Sequence, residues 1–157
     1  MICAGGTGGH LAPGIAVAQA LLAAGHEPVL AVSEKEVDGQ LVGAYPELTT
    51  VRCPGRGLSG GVLWLPAFLL GQARTLGRAR ALLRDSAAEV LLAFGGFLTG
   101  GFVLAARSLG LPVVLHEANQ TPGRAVRQCA RWATHVWHPP GSGPAAWRMA
   151  RQAAPVG

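Results

Sequence analysis

Six short apolar runs, each too continuous to leave one face wet, are spaced along the chain: ICA at 2–4, PVLAVS at 28–33, LTTVRC at 48–53, EVLLAF at 89–94, PVVLH at 112–116 and ATHVW at 133–137. Strands covered on both faces of a parallel sheet read this way, whereas a half-exposed strand alternates apolar with polar residues. Between the runs the spacing predicts helices near 12–24, 36–44, 62–84, 100–109 and 122–132, with Gly25 and Gly110 as C-terminal caps. Strands alternating with helices predict a doubly wound, mostly parallel α/β domain of Rossmann-like type. With 157 residues, half of them hydrophobic, the chain can build one such core. The first strand is short against the ~5 residues of a typical strand. From Pro139 the run HPPGSGPAAW reads as loop, so the domain is expected to occupy 1–138 and a linker 139–157.

Charge divides the chain. Up to residue 50 Lys35 alone faces Glu27, Glu34, Glu36, Asp38 and Glu47, a balance of −4; from residue 51 twelve arginines face Asp85, Glu89 and Glu117, a balance of +9. The basic part suits an anionic membrane surface or a phosphorylated substrate, or else an arginine-rich solvated face. No basic motif studded with aromatics points to nucleic acid. Cys3, Cys53 and Cys129 are odd in number and lack C-x-x-C spacing, which argues against a disulfide framework or a zinc site and for a reducing cytoplasm. No signal peptide is visible, and the longest apolar run, 62–70, is far short of the ~20 residues that span a bilayer.

Chemistry concentrates in the turns that follow strands. AGGTGGH at 4–10 lies between the first strand and the first helix, at the carboxyl edge where open α/β sheets bind ligands. Glycines there let backbone N–H groups approach an anion, and the helix adds its positive end. A dinucleotide site, with Glu34 imitating a ribose-binding acid, is disfavoured because neither G-x-G-x-x-G nor a P-loop pattern is present. GGFLTGG at 95–101 repeats the device after the fourth strand, so two turns could wall one crevice. Thr7 and Thr99 offer hydroxyls to a ligand or serve as helix caps. HEANQ at 116–120 brings His116, Glu117, Asn119 and Gln120 to the same edge, as polyol ligands or as a loop capping the next helix.

In order and spacing, GGTGGH, the G-G-F-x-T-G turn and LPVVLHE-x-N resemble the N-terminal domain of the MurG family of bacterial glycosyltransferases, over residues 2 to about 138. The resemblance implies one half of a glycosyltransferase-B fold. It also implies transfer of N-acetylglucosamine from UDP-N-acetylglucosamine onto lipid-linked N-acetylmuramoyl-pentapeptide in peptidoglycan synthesis, this chain being the acceptor half. PVG at 155–157 resembles the start of the V-G-N-P segment that opens the family's second domain, which holds most of the UDP-sugar. By resemblance Thr7, Gly8 and Gly9 belong to a donor-contacting loop, Asn119 contacts sugar, and Gly95, Gly96 and Thr99 cradle the acceptor diphosphate. Two positions depart from the family pattern: Ala118 stands where glutamine is common and Phe97 where tyrosine is.

An inverting displacement needs a base for the acceptor 4-hydroxyl. His10 is one candidate and His116 beside Glu117 its rival, since an imidazole titrates near ~6.5; for either, orienting its loop is the plainer role. Neither a cofactor nor a metal is expected. On the 62–84 helix, Trp64, Leu65, Phe68, Leu69, Leu76, Leu82 and Leu83 form a stripe expected to face the core. Leu63 and Leu70 fall off it beside Arg74, Arg78 and Arg84, a pattern suited to peripheral contact with the anionic cytoplasmic face of the cell membrane, or to an ordinary surface. Two alternatives stay open: a non-catalytic membrane-recruiting subunit of a split glycosyltransferase, and a related transferase with another acceptor.

Overall fold

Covering a strand on both faces requires helices on both sides of the sheet, and that is what forms. The computed structural model describes residues 1–6, 8–55, 57, 65–140 and, for the backbone, 153–155. Strands β1 (Ile2–Cys3), β2 (Val29–Ser33), β3 (Thr49–Cys53), β4 (Leu91–Ala93), β5 (Val113–His116), β6 (His135–His138) and β7 (Ala153–Pro155) make one sheet in the order β3-β2-β1-β4-β5-β6-β7. Every neighbouring pair is parallel. In register, Ile2 lies between Leu30 and Leu92, and Cys3 between Ala31 and Ala93.

Side chains of successive strand residues go to opposite faces, and two cores result. Leu30 and Val32 join Ile2, Leu92 and Phe94 under α1 (Gly8–Ala23) and α2 (Glu36–Gly43). Ala31, Leu91, Ala93, Val113, Leu115 and Val136 meet α3 (Leu65–Asp85), α4 (Thr99–Ser108) and α5 (Arg124–Cys129) on the other side. The helices α3 and α4 approach closely because α4 opens with glycine: a Cβ on Gly101 would stand 2.7 Å from Thr75 Cγ2. Gly25 and Gly110 close their helices at φ +83 and +74, as expected of C-terminal caps.

Four expectations need correction. The first helix starts at Gly8, not near residue 12, and holds Pro13 inside it. Glycines and a proline give that segment little intrinsic helicity, but a Cβ on Gly14 would come 2.4 Å from the Ala4 Cβ, so packing on β1 rather than propensity sets the helix there. The 122–132 helix is shorter, Arg124–Cys129 followed by a 3-10 turn over Ala130–Trp132. Leu69, placed on the core stripe of the third helix, is 57 % exposed. In the segment read as linker, residues 153–155 pair with β6 as a seventh strand. Trp64 and Leu63 lie outside the described residues.

Candidate functional site

Strand order makes the site. In this sheet β1 lies between β2 and β4, so the chain leaves β1 toward one face and β4 toward the other, and a crevice opens at the switch point between their carboxyl ends. The two glycine turns are the loops that follow those two strands. They touch: a Cβ on Gly96, at φ +83, would stand 2.4 Å from the Gly5 carbonyl oxygen. His10 fills the junction, its Cε1 3.0 Å from where a Cβ on Gly95 would be. Only glycine lets the second turn close on the first and on the imidazole.

The sequence-predicted residues other than Thr7 have definite places. Thr7 lies outside the described residues. Gly8 opens α1, and Gly9 is exposed, with nothing within 4 Å of a Cβ built on it. The first N–H groups of α1 have no helical acceptors of their own. Gly6 differs, because its N–H donates to Asp38 Oδ2 at 2.8 Å. Half-buried His10 lines a pocket of about 330 Å³ together with Gly95 and Gly96; across it stand Phe68 and Gln72 of α3, Phe97, and Arg124, Val126 and Gln128 of α5. Cys129 closes the wall as a neutral thiol, since burial pushes it up to about 11 against the pull of Arg131.

Thr99 does not offer its hydroxyl to this space. It is fully buried, and the hydroxyl donates to the Gly95 carbonyl at 2.6 Å, which ties α4 to the turn. Between the two readings of this threonine, the geometry is that of a brace. Gln72 adds a second tie, donating Nε2 to the Phe97 carbonyl at 3.0 Å.

HEANQ divides by residue. Glu117 is 1 % exposed and occupied: Oε1 accepts from Asn119 N–H at 2.9 Å and from Asn119 Nδ2 at 2.7 Å, and Oε2 accepts from Gly123 N–H at 2.7 Å. It shapes the loop that delivers Gly123 and Arg124 to the pocket. His116 packs on Phe94 with ring centroids 4.8 Å apart, and its Nδ1 is buried with no partner among the described residues. Burial holds its pKa below the ordinary histidine range, Glu117 opposing only in part. Asn119 and Gln120 are exposed, the latter donating Nε2 to the Pro140 carbonyl at 3.5 Å. None of these four residues lines the pocket that His10 does.

Sequence reading missed Phe68, Gln72, Phe97, Arg124 and Gln128 as pocket walls. Only Arg124 carried a signal, a cation just after the HEANQ loop. Asp38 and Lys35 carried none, since acids and lysines early in a short helix read as solvated charge. Among the described residues no group of three or more His, Cys, Asp or Glu could hold a metal ion.

Known proteins resemble this chain in sequence and in fold. The model of the glycosyltransferase family 28 N-terminal domain matches residues 1–138. A curated protein of Opitutus terrae, a UDP-N-acetylglucosamine--N-acetylmuramyl-(pentapeptide) pyrophosphoryl-undecaprenol N-acetylglucosamine transferase, is 49 % identical over 141 residues, 90 % of this chain and 37 % of the relative. A protein of the same name from Prochlorococcus marinus is 42 % identical over 136 residues, 87 % of this chain and 37 % of its own. The crystal structure of Acinetobacter baumannii MurG superposes with a TM-score of 0.76 at 28 % identity, covering 92 % of this chain and 42 % of that one. The chain thus spans well under half the length of these relatives.

Proposed function

The chain belongs to glycosyltransferase family 28, to the N-terminal domain of that family, and from this premise we propose that it is the acceptor-binding half of an inverting N-acetylglucosamine transferase. The donor is UDP-N-acetylglucosamine, held mostly by a second domain. The acceptor is N-acetylmuramoyl-pentapeptide on undecaprenyl diphosphate, so the reaction is a step of peptidoglycan synthesis. The names of the relatives support this substrate class. The single observation that carries it is the contact between two glycine turns at the switch point, with His10 at their junction and Arg124 across the pocket.

Each part has a role in this reading. The N–H groups at the start of α1 and the Gly95–Gly96 turn receive phosphate and sugar oxygens, with Arg124 as counter-charge. His10 accepts the proton of the acceptor 4-hydroxyl as that oxygen bonds to the anomeric carbon, while the bond from that carbon to UDP breaks on the opposite face. His116 is the poorer base, being packed on Phe94 away from the pocket. Glu117 and Thr99 support; Asn119, exposed at the same edge, is the sugar contact. The domain sits peripherally on the cytoplasmic face of the membrane, through Leu70, Arg74, Arg78 and Arg84, with Leu69 joining them and Leu63 outside the described residues. No helix among the described residues is long and apolar enough to cross a membrane.

Titration of this chain with detergent-solubilised lipid-linked acceptor tests the reading. Saturable binding is expected, weakened about tenfold or more in Arg124→Ala, as for a lost charge-assisted contact. No binding, or equal binding of a lipid lacking the diphosphate, sinks it.

A further inference from the structure

Asp38 stands in the first turn of α2 yet is 1 % exposed. A carboxylate is costly to bury unless donors surround it. Here the donors all come to one oxygen. Oδ2 accepts from Gly6 N–H at 2.8 Å, from Ser33 N–H at 3.3 Å and from the Ser33 hydroxyl. Oδ1 is buried with no partner among the described residues. Lys35, from the same short segment, donates Nζ to the Gly6 carbonyl at 2.9 Å and lies 5.2 Å from the centroid of the Phe97 ring. Residues 33–38, which belong to neither glycine turn, therefore hold both polar groups of Gly6, at the point where the chain turns with φ +122.

We propose that Asp38 is a positioning residue for the transfer reaction, fixing Gly6 so that the turn after β1 holds the first amides of α1 toward the substrate. The proposal rests on the transferase reading above. One-sided bonding makes it specific, because what the turn needs is an acceptor oxygen at the Oδ2 position and not a negative charge. In Asp38→Asn the amide oxygen can take that position and keep all three bonds, with the NH2 group where Oδ1 had no partner. Asp38→Ala removes all three. Ser33→Ala removes the hydroxyl bond and leaves Gly6 on the carboxylate.

The test joins this chain to a donor-sugar-binding domain and measures kcat, thermal midpoint and Gly6 amide exchange in the three variants. Asp38→Ala is expected to speed Gly6 exchange and to lower kcat at least tenfold, since a shift of about 1 Å in reacting groups can cost ~100-fold. Asp38→Asn is expected to keep slow exchange and a kcat within about threefold of the parent. Ser33→Ala is expected to lower the midpoint without lowering kcat, so that a loss of turnover in Asp38→Ala is not a loss of stability alone. The proposal is overturned if Asp38→Asn is as slow as Asp38→Ala, or if Ser33→Ala loses as much turnover. Should Asp38→Ala not fold, those two variants still decide. If the parent shows no transfer, the transferase reading falls instead, and Gly6 exchange decides the brace: faster in Asp38→Ala alone supports it, equal in all overturns it.

Discussion

Gly96 is where the two turns meet, and its requirements are backbone ones. An alanine there would set a Cβ 2.4 Å from the Gly5 carbonyl oxygen, at φ +83. Left-handed backbone costs about 1–2 kcal/mol for a residue with a Cβ, and the clash adds to it, so Gly96→Ala is expected to destabilise by about 2–4 kcal/mol. Denaturant unfolding measures this; an unshifted midpoint would mean that the turns are not locked together. His116 carries a different signature. Its pKa is lowered by burial, while in the unfolded chain it titrates near ~6.5. Between the folded and the unfolded pKa the unfolded state binds more protons, so stability present above the unfolded value is lost as pH falls through that window. Thermal midpoints from pH 7 down to 5 should therefore fall more steeply for the parent than for His116→Phe, and parallel curves would contradict the burial. At this scale the glycines were legible, because few other needs explain so many of them between strand and helix. Asp38 was not legible, because the bond that ties its carboxylate to the glycine turn comes from a residue 32 positions away in sequence.

At the scale of elements, strand positions were read to within one or two residues; two-sided burial leaves an unbroken apolar run in the central strands, whereas β3, read the same way, is an edge strand that exposes Thr49, Thr50 and Arg52. Faces of helices were read less well, and α3 shows why. Its C-terminal half buries Ala79, Leu82 and Leu83, whereas nearer its start Leu69 and Leu70 are 57 % and 55 % exposed. A helical wheel assigns one face to the whole helix and cannot know where the protein beneath it stops. The two leucines are flanked along the helix by Arg74 and Arg78, both exposed. Apolar burial at about 25 cal/mol per Å², plus about 1 kcal/mol for each basic residue near an anionic surface, is enough for reversible attachment. Leu69→Ser with Leu70→Ser should lower sedimentation with anionic vesicles about tenfold or more at any salt. Arg74→Ala with Arg78→Ala should lower it at low salt and little at high salt. Equal binding of parent and variants, or of neutral and anionic vesicles, would return these leucines to ordinary surface.

At the scale of the whole molecule, the alternation of elements was enough for a doubly wound sheet but not for its seventh strand, which hides in a segment rich in proline and glycine. Nor could sequence order alone place β1 beside β4, the adjacency that brings His10 to Gly95. That adjacency separates the two histidines. His10 lies in the shared pocket, and His116 packs on Phe94, a residue of the core on the α1 side of the sheet. If the base is His10, then in the chain joined to a donor-sugar-binding domain His10→Ala should lower kcat by about 10²–10⁴-fold, the usual worth of a positioned base. KM for either substrate should change far less, because the proton moves only in the transition state. His116→Ala should mainly lower the thermal midpoint. Near-normal kcat in His10→Ala, or a loss confined to His116→Ala, would move the chemistry out of the joined glycine turns and leave that crevice a binding surface only.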